Sequence, residues 1–131
     1  MPLHRSTTTV KADAVNWLTS KGALRNGAVY ASKFYVPEKS WTRQSAWWFE
    51  IPRSAIEIPG ANEIHLLCQV LPGAKDFHHL KVSVQFFREK LQKLVVRENS
   101  KVSLFLSAEP DELFIDQRGK GKVGFRHFLI S

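Results

Sequence analysis

Between Val10 and Leu18 the apolar residues return at helical spacing. Val10, Ala14, Trp17 and Leu18 share one side and Lys11, Asp13, Asn16, Thr19 and Ser20 the other, which predicts a first helix. A threonine among Thr7, Thr8 and Thr9 is its expected cap and Gly22 its stop, while residues 1–6 carry no period and are expected to form a flexible N-terminus. Asn26 and Gly27 tolerate positive φ and predict a turn, after which residues 28–36 form a run of β-branched and aromatic residues ended by Pro37. Residues 45–51 read as a second strand stopped by Pro52, and the two strands are expected to pair antiparallel. Ser54 and Glu57 have capping-box spacing, but Pro59 leaves room for a single turn.

Residues 64–71 are almost continuously apolar between Asn62 and the Pro72-Gly73 pair, the pattern of a central strand covered on both faces, with residues 77–82 as its hairpin partner. The second predicted helix starts at a Ser83 cap. It carries Val84, Phe87, Leu91, Leu94 and Val95 on one stripe and Arg88, Lys90 and Lys93 among its solvent positions. Two short apolar runs, 102–106 and 113–116, then lead to a basic glycine loop, 118–124, and a final run, 125–130. The pattern predicts one α+β domain over residues 7–131, with a central mixed β-sheet, two packing helices and an αβββαβ-like order.

A chain of 131 residues with 44% hydrophobic and 24% charged content holds a single sizeable core, which excludes a disordered segment and a disulfide-dependent mini-protein. Cys68 is the only cysteine, and no apolar run approaches the 18 or so residues that span a bilayer. No membrane association and a reducing, cytoplasmic setting are the expectations. Nineteen Lys and Arg against twelve Asp and Glu leave a formal charge of +7, an excess that favours a polyanionic partner.

Gly119, Gly121 and Gly124 match G-x-G-x-x-G literally. Only seven residues follow Gly124, so the helix that would aim its N-terminus at a pyrophosphate is missing. What remains is a loop in which Arg118, Lys120, Lys122 and Arg126 surround glycines that allow close backbone approach, suited to clamping a phosphate backbone; the plain alternative is a solvated hairpin tip. Arg88, Lys90 and Lys93 add cations from the second helix. In the aromatic block, strand alternation puts Trp47 and Phe49 on one face and Trp48 on the other. Trp48 with Trp41, flanked by Lys39 and Arg43, is then a stacking surface for unpaired bases or an anchor for a protein partner, unless a helix covers it.

The five histidines lack metal-ligand spacing: His78 and His79 are adjacent and point to opposite faces of a strand, so no metal site is expected. Cys68 lies within an apolar run, where a thiol is inert, and no G-x-S-x-G turn occurs.

The order helix, three strands, helix, strand over about residues 7–107 is similar to the αβββαβ core of the PD-(D/E)XK nuclease superfamily. There an acid on the second strand and an E-x-K on the third hold a metal and activate water. Here the corresponding positions carry Glu50, and Glu63-Ile64-His65 or Gln69, with Lys81 the nearest lysine. Without E-x-K the resemblance implies a scaffold that binds without cutting. The expectation is a nucleic-acid-binding accessory module, non-catalytic and without cofactor. The alternatives are a Mg²⁺-dependent nuclease centred on Glu50 with Glu63, His65 or Gln69 assisting, and a protein-interaction subunit using the Trp face.

Overall fold

The computed structural model describes residues 2–21, 28–40, 42–57 and 63–130. It is an α+β domain in which helix α1 (Pro2–Ser20) precedes strand β1 (Ala28–Ser32), β2 (Ala46–Pro52), the single-turn helix α2 (Arg53–Glu57), β3 (Glu63–Gln69) and β4 (Phe77–Ser83). Helix α3 (Val84–Lys90), β5 (Val95–Val96) and β6 (Lys101–Ser107) follow. Among the described residues, no helix is long and apolar enough to cross a membrane.

The strands form two sheets instead of the one expected. The first has the order β1-β3-β4, with β1 parallel and β4 antiparallel to β3, so it is the mixed sheet; the second, β2-β6-β5, is antiparallel. The difference follows from the burial each strand needs. β3 is buried along nearly its whole length, as its continuous apolar run demands, and it takes the centre of the first sheet. β2 alternates, with Trp47, Phe49 and Ile51 buried and Trp48 exposed, which fits a layer covered on one face. The expected antiparallel pairing of the first two strands shrinks to one bridge, Tyr35 with Ala46, their backbone N–H groups donating reciprocally at 2.9 and 3.1 Å.

Between the sheets lies one core. Trp47, Phe49 and Ile51 from β2 meet Ile64, Leu66 and Cys68 from β3, Leu80 and Val82 from β4, Phe87 from α3, and Val102, Leu104 and Leu106 from β6. Phe114, Val123 and Phe125 close it from the C-terminal segment. Burial pushes the Cys68 thiol well above its ordinary pKa, leaving it a small hydrophobe. The outer face of the first sheet carries a second cluster, where Ala14 and Leu18 of α1 pack on Leu67 and Phe77. Trp17 meets Phe77 edge-on at 6.1 Å.

Element ends differ from expectation for local reasons. α1 begins at Pro2 and takes in the segment expected to fray; proline is well suited to the first position of a helix, where its missing N–H is not needed. Gly22, the turn at residues 25–27, Pro59 and Asn62 lie outside the described residues. Ser83 caps α3 as expected, its Oγ accepting from the Phe86 N–H at 3.2 Å. The helix then tightens into a 3-10 turn over Leu91–Lys93, because Leu94 turns into the core and Val95 and Val96 pair with Ser103 and Val102. Glu57, read as half of a capping box, instead pairs with Arg53 at 2.9 Å.

Candidate nucleic-acid interface

The glycine loop hangs between two short bridges, Leu106 with Asp116 and Ile115 with Gly124, as an irregular hairpin tip. Asp116 shapes it. Its fully buried carboxylate accepts the Phe105 N–H at 3.0 Å and the Arg118 N–H at 3.2 Å on Oδ1, and the Gly119 N–H at 2.9 Å on Oδ2. Burial raises this carboxyl's pKa, against the lowering effect of the three N–H donors and of Arg118. One side chain thus fixes the start of the loop to β6.

The glycines are used differently from the sequence expectation. Gly119 and Gly121 allow close approach to the protein's own Lys93: a methyl at Gly119 would overlap the Lys93 carbonyl oxygen, and one at Gly121 would sit 2.6 Å from the Lys93 Cβ. Gly124 has only ordinary contact, at 3.9 Å from Ile115. The close packing seats the loop on the 3-10 end of α3, so Lys93 stands beside the segment bearing Arg118, Lys120 and Lys122.

Around this junction, Lys90 lies 5.8 Å from the Phe86 ring centroid. Phe86 also touches His127 and Phe128, which places Arg126, the first residue of the Arg126–Phe128 turn, on the same side of α3. Arg88 points to the other flank, its Nε donating to the Ile56 carbonyl of α2 at 2.9 Å. Lys122 sits 3.9 Å from Glu112. Lys90, Lys93, Lys120 and Arg126 have no carboxylate within 4 Å among the described residues.

The aromatic block divides as alternation predicts. Trp47 is 1% exposed, stacks on Phe114 at 5.2 Å and donates its Nε1–H to the Gln69 carbonyl at 2.7 Å. Trp48 is 36% exposed on the outer face of the second sheet. Its cross-strand partner is Phe105, whose ring lies 6.1 Å away at 16°, and the Arg118 guanidinium lies 6.0 Å from the Phe105 centroid. Arg118 therefore belongs to both the basic loop and the aromatic row. Trp41 lies outside the described residues.

The residues suggested for metal-dependent hydrolysis are not brought together. Glu50 is on β2 and pairs with Arg97; Glu63 is on β3 and pairs with Lys81 at 3.5 Å. Gln69 is structural, its side chain accepting from the Phe34 N–H at 3.0 Å and donating to the Ala74 carbonyl at 2.9 Å. Among the described residues, no three His, Cys, Asp or Glu side chains converge as a metal-binding group.

His65 instead meets a partner that spacing along one strand does not show. Its Nδ1 lies 2.8 Å from Nε2 of His79 across the β3–β4 hairpin, both rings 3% exposed on the face that α1 covers. Burial, His65 and Lys81 together lower the His79 pKa to about 4. His78 points the other way, toward Trp47 and Phe114, as adjacent strand residues must. Compared with known proteins, the chain matches no protein-family model, no curated protein and no solved structure at a significant level.

Proposed function

We propose that the chain is a nucleic-acid-binding accessory module, gripping the phosphate backbone with the loop 118–124 and the C-terminal end of α3, without strong sequence selection. The observation that carries this reading is the seating of Gly119 and Gly121 on Lys93. It joins cations from two separate stretches of sequence on one surface within a chain of net charge +7. Lysines at this junction reach phosphate oxygens without reading bases, and phosphate contacts position a protein but do not specify sequence.

The test is an anisotropy titration of labelled DNA and RNA at about 50 and about 200 mM salt. Affinity is expected to fall steeply with salt. The double variant Lys120→Ala, Lys122→Ala is expected to weaken binding to every sequence and to lower the slope of log K against log salt by about one per lysine that contacts a phosphate. Equal affinity at both salt concentrations, or no binding to duplex, single strand or RNA, overturns the proposal.

A further inference from the structure

The basic surface runs, through Arg118, into an aromatic one. Phe105 is only 7% exposed between Trp48 and the Arg118 guanidinium, so it braces the indole from behind. The indole is also held by its Nε1–H, which donates to Ser103 Oγ at 3.3 Å, and the strand beneath it is fixed by the Trp48 backbone N–H, which donates to Ser32 Oγ at 2.8 Å. A braced, oriented aromatic plane that stays more than a third exposed is preorganised for stacking.

Two open grooves meet at Trp48 and Tyr35. One, of about 430 Å³, is bordered by Lys39, Arg43 and the carboxylate of Glu38, and the other, of about 240 Å³, by Lys33 and Glu50. The charge of Glu50 is offset by Arg97, and Lys33 lies 5.1 Å from the Tyr35 ring centroid. Around Trp48 and Tyr35 the grooves thus gather three cations, Lys33, Lys39 and Arg43, against Glu38 and the Arg97-paired Glu50.

Resting on the phosphate-binding reading above, we propose that Trp48 is a base-stacking platform and that the substrate class is single-stranded nucleic acid. In a duplex each base already has neighbours on both faces, and the indole has no plane to stack on. An unpaired base offers a free face of any identity, and the cations beside the grooves follow the backbone on either side. Stacking on Trp48 adds what the cations alone lack, a reason to prefer unpaired strands over duplex.

The test uses fluorescein-labelled oligothymidylate of about twelve nucleotides, the same chain with abasic positions throughout, and a duplex of equal length, all at one low salt concentration. The oligothymidylate is expected to bind roughly tenfold or more tightly than the abasic chain, and Trp48→Ala to remove most of that advantage while leaving duplex affinity unchanged. Trp48→Phe, which keeps an aromatic plane, is expected to retain most of it. If Trp48→Ala binds oligothymidylate as well as wild type while Lys120→Ala, Lys122→Ala binds it less well, the stacking platform is refuted and phosphate binding stands. If no probe binds, both readings fall. Should Trp48→Ala not fold, the wild-type comparison decides: equal affinity for the oligothymidylate and the abasic chain refutes the platform.

Discussion

The His65–His79 contact gives the fold a pH dependence whose sign and size follow from its surroundings. His79 sits beneath α1 with Trp17 edge-on at 6.2 Å, His65 at 2.8 Å, and Lys81 and Glu63 close enough to act on its charge. Protonating it places an imidazolium in a dry layer against a second imidazole and near an ammonium, with Glu63 opposing. The folded-state pKa, about 4, lies below the ordinary 6.5, so the folded protein takes up this proton less readily than the unfolded chain. Stability from this group is therefore complete above about pH 6.5 and is lost as the pH falls toward 4. Linkage gives a loss of roughly 2–3 kcal/mol between about pH 7.5 and 4.5. The assay is urea unfolding at both pH values for wild type and for His79→Gln, whose amide still bonds to His65 but does not titrate. Taking the difference between the two proteins removes the contribution of Asp116, whose raised pKa acts in the opposite sense. Wild type is expected to lose roughly 2–3 kcal/mol more than the variant; identical losses would falsify the assignment.

Gly119→Ala drives a methyl into the Lys93 carbonyl oxygen and to 2.9 Å from Asp116 Oδ2; about 1–3 kcal/mol of destabilisation is expected, or roughly 4–10 °C in thermal melting. Gly73→Ala, at φ +77° in open space, is the control, with only about 1 kcal/mol of backbone strain. Ser83→Ala removes the cap on the Phe86 N–H and is expected to lower stability by about 1 kcal/mol in chemical denaturation, with little change in nucleic-acid affinity.

What the sequence reveals of this fold is what its local pattern encodes. The run 64–71 locates a doubly covered strand, although the strand ends at Gln69 and Leu71 is exposed; Pro72-Gly73 identifies its turn, and Ser83 identifies the start of α3 because a capping hydroxyl and an apolar stripe coincide there. The partition into two sheets is not legible, since β2 pairs with β6, which puts Pro52 opposite Lys101 across a long intervening stretch that holds the β3–β4 hairpin and α3, and no local pattern links the two strands. The histidine pair is half legible. A hairpin centred on Gly73 sets His65 opposite Lys81 and diagonal to His79, a relation that inspection of each strand alone does not expose. For the interface, alternation correctly separates Trp48 from Trp47. The seating of Gly119 and Gly121 on Lys93 depends on tertiary contact between segments some 26 residues apart, and no spacing rule reports it.

The interleaving of the two sheets has a consequence for biosynthesis. β2 leaves the ribosome early, carrying Trp47, Trp48 and Phe49 on a strand whose long partner, β6, is made only after the whole β3–β4 hairpin and α3. In that interval the nascent chain presents an apolar, aromatic edge with unmet backbone donors and acceptors, the kind of edge that chaperones shield and that aggregates when unshielded. Pro52 at its end and the cations Arg43 and Arg53 just outside it are features that discourage edge-to-edge association, so residues that look incidental in the finished molecule guard it while it is being made.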